Sequence, residues 1–462
     1  MDFLYGGMFV KEQIIELIEE KKFQKLRSIL SEMNPADIAQ ILEDSPTKEQ
    51  LPLIFRILPK ELAAETFVEM ESDIQQMLIE AFSDTELKEV FDELFMDDTV
   101  DIIDEMPALV AKRILKQTDT KTRKMINQLL AYPDDSAGSI MTTEYIDLKR
   151  NMTVAEAFDR IRKVGLQSET VYTCYIIDSG RHLLGIVSVK DLLLNDTERV
   201  LEDIMEENII SANTLDDKEE VAEKFSKYDL VALPVVDKEN RLVGIITVDD
   251  AIDVLQEEAT EDIEKMAAIL PSDRAYFKTS VWSVFKARIP WLVLLMITST
   301  ITSGIISSFE SKLTLFPALI AFIPMLMGTG GNCGSQSSVT VIRSISLGDI
   351  EFKDIFKVLW KELRVSFICS IVLAVIGFAK LWVVDHLIFN NFDAGKQITE
   401  IFVVCLTLMF TVIVAKLVGC VLPIIAKKIG FDPAVMASPF ITTAIDAVSL
   451  VIYFAAAMML LA

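Results

Sequence analysis

The chain has 462 residues, too many for one ordinary domain, and its net charge of −25 conceals two unlike halves. Residues 1–275 hold 59 Asp and Glu against 30 Lys and Arg, whereas residues 276–462 hold 10 against 14. So acidic a half repels nucleic acid and anionic lipid, which excludes nucleic-acid binding and leaves cations, basic proteins or plain solubility as what the charge serves.

The N-terminus, MDFLYGGMFVKEQIIELIEE, moves within its first ten residues into a charged amphipathic helix. It offers no basic region followed by an apolar stretch and cleavage site, so no signal peptide is expected. Residues 10–132 are rich in Leu, Ile, Glu, Lys and Ala, with apolar residues at helical spacing such as Ile14, Ile15, Ile18 and Phe91, Leu94, Phe95. Asn34-Pro35, Leu58-Pro59 and Ser83-Asp84 place a cap or an early proline ahead of similar runs (PADIAQILE, PKELAAETF, DTELKEVFD), about 24 residues apart. The reading is an N-terminal domain, 1–133, built as a small α-solenoid, with an irregular helical bundle as the alternative.

Residues 139–256 contain a clearer duplication. SIMTTEYIDLKRNMTVAEAF…CYIIDSGRHLLGIVSVKDLL stands against DIMEENIISANTLDDKEEVAEKF…LPVVDKENRLVGIITVDDAI, each copy reading as strand, helix, two strands around a polar turn, helix. Gly185 to Asp191 and Gly244 to Asp250 share the pattern G-h-h-[S/T]-h-x-D. In these segments the sequence resembles a tandem pair of CBS domains, here 134–200 and 201–256, folding as one pseudo-twofold α/β module. That resemblance implies that Ser188, Lys190 and Asp191, and Thr247 with Asp250, are candidate contacts to a nucleotide such as ATP. Many such pairs serve only as dimerisation modules, so both roles stand open. Residues 251–275 follow as an acidic connecting helix.

Beyond Pro290, five apolar stretches are long enough to cross a hydrocarbon core, at approximately 289–308, 313–342, 365–389, 398–426 and 434–461. They define a five-helix membrane domain over 276–462. The second is broken by Pro317, Pro324 and several glycines, so it is expected to be kinked or locally unwound. Arg343, Lys353, Lys357, Lys361 and Arg364 in one connection, and Lys427 and Lys428 in another, outweigh the lone Lys312 and Lys396 of the other two. The positive-inside rule then gives a multi-pass protein of the cell membrane, N-terminus cytosolic and C-terminus extracellular. Of the five cysteines (Cys174, Cys333, Cys369, Cys405, Cys420) none shares a C-x-x-C spacing, so neither a disulfide framework nor a zinc site is expected.

Nine of the ten carboxylates after residue 275 fall in loops or at span edges; Asp446 alone lies well inside a span. A charge there costs on the order of 3 kcal/mol or more unless it faces water, a partner or an ion. A protonated Asp bonded to a neighbouring helix is the plain alternative. Lys380 and Lys416 are the other ionisable residues, read as snorkelling or lying near an interface. No His and no second carboxylate in a span is seen for a proton relay. Small or hydroxylic residues surround the acid: Ser438, Pro439, Thr442, Thr443, Ala444. A second polar cluster runs Gly328, Thr329, Gly330, Gly331, Asn332, Cys333, Gly334, Ser335, Gln336. These glycines either permit close helix packing or open the backbone to point carbonyls into a pore. Oxygen ligands and one acid suit a hard cation, with Mg²⁺ held through its hydration shell.

Over essentially its whole length the chain resembles the MgtE family of Mg²⁺ channels. The resemblance is carried by PMLMGTGGNCGSQSSVTVIR, DPAVMASPFITTAIDAVSL, the CBS pair, the N-terminal helices and the linker VDDAIDVLQEEATEDIEKMA. It implies a homodimer in a lipid bilayer with ten transmembrane helices, a central pore at Asp446 with Asn332, Thr442 and Gly328, and a plug helix over about 251–270. It also implies sensor positions for Mg²⁺ at Asp97 and Asp101, at Asp217, Glu219 and Asp229, and at Asp250, Asp253, Glu258, Glu261 and Asp262. Ser438 stands where the best-known members have Asn, and Ser449 where many have Gly. The expected function is Mg²⁺ import, closed when cytosolic Mg²⁺ bridges the acidic domains. A broader Mn²⁺ or Co²⁺ pathway is the nearest rival. A CBS-controlled membrane enzyme or a scaffold is more distant, because no P-loop, no G-x-S-x-G and only two His appear.

Overall fold

The helix starts written in the sequence are the ones the chain uses. The computed structural model describes every residue except 1–13, 15, 19, 44–49, 273–275, 278, 314–316, 384–397, 437 and 462. The N-terminal helices are α1 (Phe23–Leu30), α2 (Pro35–Glu43), α3 (Leu51–Phe55), α4 (Lys60–Val68), α5 (Ser72–Ala81), α6 (Asp84–Phe91), α7 (Met96–Glu105), α8 (Ala108–Gln117) and α9 (Thr120–Leu129). Asn34 accepts from the Ala36 amide at 3.0 Å, and Ser83 and Glu86 close a capping box at the start of α6. Helices α2, α4, α6 and α8 pack in succession, as a solenoid requires. One expected run divides: α6 stops at Phe91, and Phe95 caps α7 instead of extending it. Ile15 and residues 1–13 lie outside the described residues.

Each half of the duplication forms a three-stranded sheet. In the first, β1 (Asp147–Lys149) runs parallel to β2 (Thr173–Ile177), which is antiparallel to β3 (Leu183–Ser188); helices α10 (Val154–Val164) and α11 (Val189–Leu194) accompany it. In the second, β4 (Ala212–Asn213), β5 (Ala232–Val236) and β6 (Leu242–Thr247) repeat the order, with α12 (Lys218–Tyr228) between strands and α13 (Val248–Met266) after them. Even the irregularity is duplicated, at Ile176/Ile177 and at Val235/Val236. The two copies pair through reciprocal bonds, Leu183 N–H to Asn240 O and Leu242 N–H to Arg181 O. Gly185 and Gly244 are needed where they stand: a Cβ would lie 2.8 Å from Met205 Sδ in one and 2.7 Å from the Thr142 carbonyl in the other. Apolar residues of the N-terminal helices and of the second CBS copy, among them Met96, Val100, Leu233 and Val254, share one core.

The chain divides into two compact units, Met1–Leu255 and Gln256–Ala462, with the boundary inside α13. The second unit adds α14 (Val281–Leu313), α15 (Ile323–Ser346), α16 (Ile355–Lys380), α17 (Ile398–Lys428) and α18 (Ser438–Leu461). Among the described residues, four segments are long and apolar enough to cross a membrane: Val281–Phe309, Phe352–Val383, Ile398–Lys428 and Pro439–Leu460. Helix α14 leaves Leu292, Met296 and Ile301 more than half exposed, a surface that suits hydrocarbon better than water. The second expected span is helix α15, too polar to meet the same measure and packed against α17 and α18. Its prolines are harmless, Pro317 opening a 3₁₀ turn to Phe322 and Pro324 sitting in the first helical turn. The third span begins ten residues earlier than expected, so Glu362 and Arg364 belong to its helix; its expected end at 384–389 lies outside the described residues.

Candidate functional site

Within the apolar unit, the glycine-rich stretch is continuous α-helix and its glycines are contact points. A Cβ at Gly330 would meet Thr411 Cγ2 at 2.7 Å and Ser449 Oγ at 2.9 Å, and one at Gly331 would meet Thr442 Cγ2 at 2.8 Å. Gly334 faces Ile445 and the Ala415 carbonyl, and Gly419 abuts the Gly334 backbone. Of the two readings left open above, close packing is the one realised at Gly330, Gly331 and Gly334; the local unwinding expected there is not seen. Gly328 differs, with open space where a Cβ would be.

The remaining side of α15 is polar and exposed: Gly328, Asn332, Gln336, Thr340 and Arg343 follow one another at helical spacing. Across the packed face stands α18, whose first turn is tightened by Thr442 and Thr443, each donating its hydroxyl to the Pro439 carbonyl at 3.0 Å. One turn beyond Thr442, the half-buried Asp446 makes no hydrogen bond or ion pair among the described residues. A carboxylate so placed is able to hold a cation through water, at a position where hydrocarbon would otherwise penalise it. Lys416 corrects the snorkelling expectation: it is 6% exposed and donates to Ser337 Oγ at 3.3 Å.

In the acidic unit, α7 carries Asp97, Asp98 and Asp101 into the field of Asp249 and Asp250 at the start of α13, with Glu69, Glu144 and Glu169 nearby. Asp97 is buried, and burial first, then Asp250 and Asp98, push its carboxyl well above the usual range. For the same reasons, burial followed by like charge, Asp98 rises to about 7 and Glu169 to about 8; Asp101 rises to about 7 as well, although its side chain reaches solvent, because surrounding atoms partly shield it and Asp250 and Asp98 lie near. Burial lifts Asp250 to about 6, against the pull of its bond from Thr247. Glu169 Oε2 is buried without a hydrogen-bond partner. Among the described residues no three His, Cys, Asp or Glu side chains converge on one metal position, so these acids repel across gaps that a hydrated cation would neutralise.

The other expected sensor residues are dispersed. Asp217 caps α12 by accepting from the Glu219 and Glu220 amides, while Asp229 ends the same helix in the left-handed conformation at φ 52°. The two acids are thus about 18 Å apart along the axis, too far for one ion to meet both in one chain. Asp253 is exposed on α13, where partial shielding from water and then the charge of Asp249 raise its carboxyl. In the second unit, Lys265 binds both Glu261 (2.6 Å) and Asp432 (2.7 Å), and Asp262 accepts from Ser346 at 3.5 Å, with Glu258 one turn before them.

The motif expected to touch a nucleotide has local work as well. Ser188 Oγ donates to Asp191 at 2.5 Å and closes a capping box on α11, beside the exposed Lys190; Thr247 Oγ1 donates to Asp250 at 2.6 Å. Asp98, Glu144, Glu169, Asp249 and Glu69 escaped the sequence reading. The doublets Asp97-Asp98 and Asp249-Asp250 were the available signal; Glu144 and Glu169, in irregular segments, offered none.

Comparison with known proteins follows this division. Residues 323–456 match the family described as MgtE, divalent cation transporter; residues 33–135 match the MgtE intracellular N domain; residues 137–197 and 201–257 match CBS domains. A magnesium transporter MgtE of Thermus thermophilus is 34% identical over 450 residues, 96% of this chain and 97% of that protein. One of Bacillus subtilis is 33% identical over 446 residues, 96% of this chain and 95% of that protein. Among solved structures, the cytosolic domain of the Mg²⁺ channel MgtE in complex with ATP matches at TM-score 0.50 and 34% identity, covering 53% of this chain and 99% of that one. The soluble part of a magnesium transporter matches at TM-score 0.51 and 28% identity, covering 55% and 99%.

Proposed function

The chain belongs to the MgtE family, a family of magnesium transporters and not of enzymes, and from that premise we propose that it conducts Mg²⁺ into the cytosol past Asp446 and closes when cytosolic Mg²⁺ is plentiful. The observation that carries the reading is the unpartnered carboxylate of Asp446 in an apolar helix, beside a helix whose one face is polar and exposed. In a bilayer that polar face, from Gly328 through Asn332 and Gln336 to Arg343, needs cover, and a second copy presenting the same face supplies it. The result is a homodimer with two Asp446 carboxylates flanking a water-filled axis, with Asn332, Thr442 and Gly328 beside them. The acidic unit faces the cytosol and the C-terminus lies outside, as the basic connections favour.

Closure rests on the acidic cluster. Asp97, Asp98, Asp101, Glu169 and Asp250 oppose their own close approach when ionised, and divalent ions bound only to the compact arrangement favour it by their summed affinity difference. Asp217, Glu219, Asp229, Asp253, Glu258, Glu261 and Asp262 supply further weak sites. The CBS pair binds ATP through Ser188, Lys190, Asp191 and Thr247, a reading supported by the ATP complex of the similar cytosolic domain. Patch recordings test the whole: removing residues 1–130 should leave a channel less inhibited by millimolar Mg²⁺, and unchanged inhibition contradicts the gate.

A further inference from the structure

Three helices of the apolar unit meet at one hydroxyl. Lys416 is the only Asp, Glu, Lys, Arg or His between Glu400 and Lys427 in α17, and its side chain is buried at 6% exposure. Its ammonium donates to Ser337 Oγ of α15 at 3.3 Å, and that hydroxyl, 2% exposed, donates to Glu362 Oε2 of α16 at 2.8 Å. Lys416 lies about 18 Å along the helix from Lys428, which places it inside the hydrocarbon thickness once α17 spans a bilayer, while Glu362 lies about 11 Å from the start of α16, in the turn that also carries Lys361 and Arg364 at the edge of the apolar stretch. Beside them opens a cavity of about 650 Å³ with Ser335, Gln336 and Thr340 on its wall.

A buried ammonium is tolerated in such a place only when donor and acceptor needs are met nearby. Serine links the two because one hydroxyl accepts from one of the lysine's three N–H donors and donates to the glutamate at once. Since Ser337 is on α15, both bonds hold only for one rotational setting of that helix. One residue of rotation is about 100°, enough to carry Ser337 away from both charges and to turn Asn332 and Gly328 with it. Glu362, read from sequence as a connection residue, belongs to the first turns of a helix long enough to span a membrane.

We propose that Lys416, Ser337 and Glu362 form a positioning junction that fixes the rotation of α15, and so the direction in which Asn332 and Gly328 face the ion path. This rests on the reading of α15 as a lining helix; the three residues touch no ion and act through the helix they hold. Two variants test it in proteoliposomes, Ser337→Ala, which removes the bridge, and Lys416→Met/Glu362→Gln, which removes both charges together. The readouts are Mg²⁺ flux per folded protein and the ratio of Mg²⁺ to Co²⁺ flux. The junction predicts at least a tenfold loss of flux and a changed ratio in both, with Lys416→Arg within threefold of the unmodified protein. If either variant folds and keeps normal flux and ratio, the proposal is overturned. If both fail to fold, or flux falls with an unchanged ratio, the three residues are only structural glue and it is overturned likewise. Asp446→Ala is run beside them: normal flux in that variant overturns the path itself, whereas its loss with normal junction variants overturns the junction alone.

Discussion

Asp250 is the charge that the acidic cluster feels most widely, repelling Asp97, Asp98 and Asp101 more than any other acid does and Glu169 more than any but Asp98. Asp250→Asn keeps an oxygen for the Thr247 hydroxyl and removes the charge. Each relieved repulsion is on the order of 0.5 kcal/mol after solvent screening, less at the exposed Asp101, so the four together amount to about 2 kcal/mol. In metal-free buffer at pH 8, amide exchange in the segment 96–105 of the full-length protein should slow by roughly 30-fold, and the extra protection given by Mg²⁺ should shrink. The pH dependence has a definite sign. Carboxyls raised from 3.8 or 4.5 to between about 6 and about 8 bind more protons in the folded arrangement. Metal-free stability is therefore fully present below about pH 4 and falls as pH climbs from there to about 8, more steeply in the unmodified chain than in the variant. Unchanged or faster exchange in the variant, or an undiminished Mg²⁺ effect, would refute the repulsion argument.

Other variants probe the remaining parts. Asp446→Ala should lower Mg²⁺ flux at least tenfold while leaving the protein's thermal stability intact, measured side by side in liposomes and detergent. Gly419→Ala drives a methyl into the Gly334 backbone, which has no flexible end to yield, and should cost roughly 1–3 kcal/mol, read as a lowered melting temperature in detergent. Ser83→Ala removes the capping box of α6 and should cost about 1 kcal/mol, seen as faster amide exchange in residues 84–91. If the CBS pair holds a nucleotide, Thr247→Val should weaken ATP binding at least fivefold by calorimetry; equal affinity would leave Thr247 with its bond to Asp250 alone.

Much of the fold was legible because it rests on local signals. Caps at Asn34 and Ser83, the repeated glycines Gly185 and Gly244, and the apolar runs each report on a few adjacent residues. What escaped depends on residues distant in sequence. Glu169 becomes a member of the acidic cluster only because the fold brings it toward α7, and Glu362 reads as a loop residue until α16 is seen to begin at Ile355. Lys416 looked able to snorkel because its length permits it; a serine 79 positions earlier decides otherwise. The glycine cluster posed a choice between packing and opening that composition does not settle, since both use residues without a Cβ. Facing atoms on α17 and α18 decide for packing at Gly330, Gly331 and Gly334, the last of these also abutting Gly419 of α17. Lone Asp446, by contrast, was conspicuous from sequence because hydrocarbon makes any charge conspicuous.

The central claim joins Mg²⁺ passage to an acidic cytosolic gate, and one measurement addresses both: Mg²⁺ flux into proteoliposomes with the cytosolic face held at low and then at millimolar Mg²⁺. Flux well above that of protein-free liposomes at low Mg²⁺, falling steeply at millimolar Mg²⁺, is the predicted result. Flux no greater than in protein-free liposomes, or flux indifferent to cytosolic Mg²⁺, would contradict it.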